Sequence, residues 1–246
     1  MLTLAMDTAD RRGSLALLRD EALVACVAHE TEEDYSTWLL PATDRLAATA
    51  GIRLSEVGLY AVCGGPGSFT GLRVGLTAVK AWSEVHNKPI AAVSRLEAIA
   101  TVVAAEQSLI AAWVDAHRKQ VFGGLYRREA AGLRLVGEEM VIGAGGFLAW
   151  VRERSQGEGV SWSSLDPGAI TQEAEWAGFA AEGARVTEVS AVLAPVIGQI
   201  GVRMARENRL TDALRLDANY VRRSDAELFW KGPSGLAKIA HGTQGK

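Results

Sequence analysis

The sequence predicts an α/β protein of two related lobes, on three observations. Of 246 residues, 48% are hydrophobic and 22% charged, which is apolar material enough for a large core and argues against extensive disorder. In the first half, three β-like runs are followed by helix, strand, helix, strand and helix. The opening of three β-like runs then begins again.

Leu2–Asp7, Ser14–Arg19 and Ala22–Ala28 are short apolar runs separated by turn formers at 10–13 and by Asp20-Glu21, so they read as an antiparallel meander. Acidic residues Glu30, Glu32, Glu33 and Asp34 precede apolar positions at helical spacing over 35–50 and favour the positive end of that helix. Residues 57–63 form a continuous apolar run, as a buried parallel strand does, and end in Gly64-Gly65-Pro66-Gly67. A helix follows over 71–86, a strand over 89–93 and a helix over 96–105. Beyond a boundary near 106–108, the runs 109–115, 120–127 and 133–141 read as strands. The pattern weakens over 155–168. A helix over 191–208 carries Val192, Val196, Ile200 and Met204 on one face. The reading divides the chain into a first lobe over 1–106, a second over 107–231 and a mobile tail over 232–246.

The 26 Lys and Arg against 29 Asp and Glu give a net charge of −3, without the positive field that holds a nucleic-acid backbone. Cys26 and Cys63 form no CxxC pair and sit in apolar runs, as buried free thiols do. No secretory leader is visible, and the longest apolar stretch, 96–114, is broken by Glu97, Glu106 and Gln107, so a cytoplasmic protein without a membrane span is expected.

The most informative stretch runs from Gly65 through Pro66, Gly67, Ser68, Phe69, Thr70, Gly71, Leu72 and Arg73, between a buried strand and a helix. Glycines opening a helix suit an anion, and equally suit close packing of the helix on its sheet. The run is not a Walker loop, because Leu72-Arg73 follows its last Gly, nor a dinucleotide fingerprint, nor a GxSxG elbow. The four histidines make no HxxxH pair, so no metal site is expected. Gly71, Gly75 and Ala78 form a small-residue row flanked by Leu72, Leu76 and Val79, which lets a second helix come close. Together with Tyr35, Trp38, Leu39, Ala42 and Leu46 of the preceding helix, these residues are expected to form a docking face, with Trp38 as its aromatic anchor.

The run GPGSFTGLRVGL, after an opening Leu4-Ala5-Met6-Asp7-Thr8-Ala9, resembles the TsaB (YeaZ) family of tRNA threonylcarbamoyladenosine (t6A) biosynthesis. Leu39-Leu40-Pro41, Trp113 to Phe122, and Tyr220-Val221-Arg222 with Ala226-Glu227 are similar to further elements of the family. Tyr35 stands where many members carry His, Ala218 replaces a usual Pro, and 143–188 matches poorly. The resemblance implies an actin/hexokinase/Hsp70-like (ASKHA) fold and a noncatalytic scaffold that binds and activates TsaD through its first two helices, TsaD being the enzyme that transfers threonylcarbamoyl to adenosine beside the anticodon. TsaE is then reached through the complex and tRNA only indirectly, with a homodimer as an option when TsaD is absent. No cofactor of its own is implied, and ATP or ADP belongs to the complex alone. In kinases of this superfamily, carboxylates at the positions of Asp7 and Asp115, with Thr8 beside the first, meet a metal-nucleotide. The first hairpin has only Gly13 for close approach to phosphate, so Asp7 reads rather as a turn and lobe-orienting residue. A free-standing kinase and a peptidase-like protein are the alternatives.

Overall fold

The computed structural model describes residues 1–30, 32–103 and 107–217. The first sheet holds β1 (Leu2–Asp7), β2 (Ser14–Arg19), β3 (Ala22–Ala28), β4 (Leu59–Gly65) and β5 (Ile90–Ser94) in the order β3-β2-β1-β4-β5. β1 pairs antiparallel with β2 and parallel with β4. Its helices are α1 (Tyr35–Thr49), α2 (Phe69–His86) and α3 (Arg95–Val102). The second sheet repeats this plan with β6 (Leu109–Asp115), β7 (Gln120–Glu129), β8 (Gly132–Leu135), β9 (Met140–Gly143), β10 (Val160–Ser164) and β11 (Val186–Glu188). Its order is β11-β10-β6-β7-β8, with β9 also pairing β7. β6 is antiparallel to β7 and parallel to β10, so it occupies the place that β1 holds in the first sheet. The helices after β9 are α4 (Ala144–Ser155), α5 (Gly168–Thr171), α6 (Trp176–Ala181) and α7 (Ala194–Arg206).

β1, β2 and β4 are buried almost throughout because both faces of their sheet are covered. On one face, Ala16, Ala5, Ala61 and Ala91 stand in one row across four strands by direct pairing. Their small side chains let a helix come close, and that helix is α7. A Cβ on Gly198 would collide with Leu18 and one on Gly201 would lie 2.8 Å from that of Ala61. The Ser14 hydroxyl also accepts the first amide of α7, from Ala194, at 3.0 Å. On the other face lie α1 and α2, with Trp82 stacked on Tyr60 at 6.0 Å between centroids. The second lobe has its own core, in which Trp162 packs edge-on against Trp113, Trp176 and Phe179. Ile110, Ala112, Phe122 and Tyr126 face the other way and join the first core.

The structure corrects four expectations. α7 packs on the first sheet although it was assigned to the second lobe, and its inward face is Ile197, Gly198, Ile200 and Gly201, with Val196 and Met204 only partly buried. The strand expected over 133–141 is two strands, broken where Gly137 takes φ +83°. The weakly patterned 155–168 contains β10, an interior strand of the second sheet. Cys63 is buried as expected, but Cys26 is exposed on β3. The mobile-tail assignment for 232–246 and the Tyr220-Val221-Arg222 element lie outside the described residues.

Candidate functional site

Each lobe opens with a hairpin, the first following β1 and the second following β6. Asp7 ends β1 fully buried; one carboxylate oxygen accepts the Ala9 amide at 2.8 Å and the other accepts Arg95 Nε at 3.3 Å. Arg95 opens α3, is itself only 2% exposed, and reaches Asp10 at 3.4 Å. Burial works against its charge, but Asp7, Cys63 and Asp10 outweigh it and push the guanidinium pKa above its ordinary value. The Cys63 thiol beneath is pushed up by burial and then by Asp7. The Tyr35 hydroxyl donates to the Asp10 carbonyl at 2.5 Å, and burial followed by the Asp7 charge raises its pKa too. Gly13 makes room for that hydroxyl, since a Cβ there would collide with it.

Asp115 ends β6 as Asp7 ends β1, and likewise accepts the amide two residues on, from His117 at 2.7 Å. It is exposed and has no buried arginine opposite it; its second oxygen lies 3.4 Å from the His117 ring. His117, Arg118 and Lys119 all take positive φ at this turn. Between the lobes, Arg12 of the first hairpin pairs with Asp166 after β10 at 3.1 Å. The structure thus places both aspartates at hairpin turns and leaves only Asp115 open to solvent. Among the described residues no three His, Cys, Asp or Glu side chains converge on a possible metal position.

The glycine row is devoted to packing. Ser68 caps α2, its hydroxyl accepting the Gly71 amide at 3.3 Å, while its own amide donates to Ala9 at 2.7 Å. A Cβ at Gly67 would collide with Ala9, one at Gly71 with the Thr8 carbonyl, and one at Gly75 with the Thr8 hydroxyl. Thr8 in turn donates to the Gly71 carbonyl at 2.8 Å. The loop that suits either an anion or close packing is therefore filled by the first hairpin, and Thr8 is held within that contact. The Gly65–Pro66 peptide is cis.

The expected docking face is corrected most. Trp38, Leu39, Ala42 and Leu46 of α1 and Leu72, Gly75, Leu76 and Val79 of α2 are all buried against their own sheet and hairpin, and Tyr35 is half-buried. Trp38 packs against the His29 and Tyr35 rings, at 4.8 and 5.9 Å between centroids. The physical reason is width: α1 covers both β2 and the sheet edge β3, so its apolar stripe needs a large residue beside the leucines. The two helices touch each other and turn a different face outward. On it are Leu40, 54% exposed, with Pro41 on α1, and Phe69, Thr70, Arg73, Thr77 and Val85 on α2. The Arg73 guanidinium lies 3.9 Å over the Phe69 ring. Spacing alone does not reveal this face, because Leu40 and Phe69 fall between the buried positions. Arg95 leaves a weaker signal, a charge at the first residue of a helix directly after a buried strand.

A strand order of 3-2-1-4-5 occurring twice, with an aspartate turn at the same point of each repeat, defines a two-lobed protein of the actin/hexokinase/Hsp70-like class. Within it, the family described as "TsaD: tRNA N6-adenosine threonylcarbamoyltransferase" matches residues 26–160. The chain is 30% identical over 156 residues to the tRNA threonylcarbamoyladenosine biosynthesis protein TsaB of Bacillus subtilis, covering 63% of this chain and 68% of that one. It is 29% identical over 139 residues to the Escherichia coli protein of the same name, covering 54% of this chain and 58% of that one. A crystal structure from Pseudomonas aeruginosa, of an uncharacterized protein with similarity to peptidase YEAZ, superposes with TM-score 0.71 at 24% identity over 90% of this chain and 99% of that chain. The chain belongs to the TsaB (YeaZ) family.

Proposed function

We propose that this chain is a noncatalytic subunit of t6A synthesis that binds and activates a TsaD partner through the outer face of α1 and α2. The observation that carries the reading is the state of Asp7. In a kinase of this fold that carboxylate faces a metal-nucleotide, whereas here both its oxygens are engaged by Arg95 and the Ala9 amide in a buried site. An internal cation stands against the carboxylate that nucleotide chemistry needs, which weighs against a kinase acting alone. Cys63 is buried with its thiol pKa pushed up, which weighs against its use as a peptidase nucleophile. The relatives named for t6A biosynthesis supply the process, and the exposed Leu40, Pro41 and Phe69 supply an apolar surface on adjacent helices. TsaD performs the transfer, ATP or ADP is held only in the complex, TsaE and tRNA are met through TsaD, and the setting is the cytoplasm. Among the described residues no helix is long and apolar enough to cross a membrane.

The test is capture of purified TsaD by the full chain carrying Leu40→Asp or Phe69→Asp. Both side chains are exposed, so melting should stay within about 0.5 kcal/mol of wild type while binding and t6A formation fall by at least tenfold. Folded variants that bind TsaD normally would refute this surface, and ATP turnover by the isolated chain would refute the noncatalytic reading.

A further inference from the structure

A cleft of about 660 Å³ opens where the end of β5 and the first turn of α3 face β7, β8 and the segment after α7. None of its lining residues belongs to α1, α2 or either aspartate turn. Its inner end is built around Glu139. One oxygen of that carboxylate accepts the Tyr126 hydroxyl at 2.5 Å and the Ser94 hydroxyl as well, and Tyr126 is only 2% exposed. The Ser94 oxygen in turn accepts the amides of Leu96 and Glu97, at 3.1 and 3.2 Å, as the cap of α3. A hydroxyl has a single proton, so both hydroxyl protons at this end are engaged by Glu139. Glu97 lies on the same wall and meets Arg203 at 3.3 Å; burial raises its pKa, with Arg203 and Arg209 opposing and Glu139 adding to the rise. At the mouth stand Glu129, Glu138, Arg134 and Arg209. Each guanidinium there already has a carboxylate, Arg134 that of Glu129 and Arg209 that of Glu207 at 2.7 Å. Four carboxylates thus line the cleft against two guanidinium groups, and with Arg203 and Glu207 just behind the wall the balance is five against three. Among the described residues no three of these acids converge on a metal position, so the negative charge is spread along the cleft. Leu133 and Leu135, partly buried, give the cleft an apolar side.

We propose that this cleft binds an aliphatic polyamine, with one ammonium at Glu139 and Glu97, a second at Glu129 and Glu138, and the methylene stem along Leu133 and Leu135. An ammonium has three donors and no acceptor, which matches an inner end that offers carboxylate oxygens and whose hydroxyl protons are in use. Charge spread over the length of the cleft suits a cation whose charges are themselves spaced apart, rather than a metal ion. The stem between those charges covers the leucines as a lysine stem covers apolar surface. A zwitterion would bring its own carboxylate into a wall that is already negative. Because the contact is largely between charges at a partly exposed site, affinity falls as salt rises. The TsaD reading uses other residues, so failure of this proposal leaves it untouched.

Isothermal titration calorimetry of the full chain with spermidine is expected to show a single saturable site. Putrescine should bind more tightly than n-butylamine, which keeps the stem but has one ammonium. Glu139→Gln retains an oxygen for the Tyr126 and Ser94 hydroxyls, and Glu138→Gln changes an exposed side chain. Each should weaken spermidine binding by about tenfold, with the melting of Glu138→Gln unchanged. Absence of saturable binding overturns the proposal. So does an affinity indifferent to both substitutions, or displacement of spermidine by magnesium chloride as readily as by putrescine at equal ionic strength, since either means a counter-ion held by the acidic surface at large. Butylamine binding as tightly as putrescine overturns the two-ended arrangement, and alanine binding as tightly overturns the choice of a cation.

Discussion

Asp7 and Asp115 hold equivalent places in two hairpins, yet burial gives them different fates. Asp7 lies with Arg95 where neither charge meets water, and removing one partner of a buried pair leaves the other uncompensated. Asp7→Asn is therefore expected to cost about 3 kcal/mol in chemical denaturation, and the double variant Asp7→Asn/Arg95→Met less than the sum of its singles. Asp115→Asn, exposed at its turn, should stay within about 1 kcal/mol. If Asp7→Asn melts like wild type, the pair does not stabilise the hairpin. Asp7 was legible in the sequence as a turn residue because strand, aspartate and turn formers stand in order. Its partner was not, because Arg95 lies 88 residues away and only packing brings it to the hairpin. Trp38 misled for a related reason: composition tells that α1 has apolar residues to spare, but not how much sheet they must cover.

Among the elements, the helices with strong periodicity were read nearly to their ends. α1 and α2 begin and stop within two residues of expectation because acidic residues lead into the first and Ser68 caps the second. What spacing does not give is which sheet a helix meets. α7 follows the second lobe in sequence, but its glycines fit only where a row of alanines leaves space, and that row lies in the first lobe. Gly201→Leu places a side chain where Ala61 and Ala91 already sit, and should destabilise by about 1–3 kcal/mol through overpacking. A melting temperature unchanged by that substitution would mean α7 rides loosely on the sheet. The strand expected over 133–141 failed for a smaller cause, one glycine whose left-handed backbone turns the chain midway through the run.

For the whole molecule, the class of fold was legible because the order of elements repeats, and a repeat survives errors in any one boundary. The net charge of −3 and the absence of an HxxxH pair set limits on function without naming it; the marker run from Gly65 to Arg73 carried the resemblance to the family. The docking surface was legible as a pair of helices but not as a face. α7 also sets the order in which the molecule can be completed. The ribosome releases the first five strands and three helices long before residues 194–206 exist, so the nascent first lobe waits with its alanine row and Leu18 uncovered until almost the whole chain has emerged. A fragment of residues 1–106 is accordingly expected to be aggregation-prone, and a synthetic peptide of residues 190–210 added in trans should restore a cooperative unfolding transition to it. A fragment that folds cooperatively without the peptide would show the lobe to be self-sufficient. A lesion that stops translation after the second sheet would, on this architecture, disable the first.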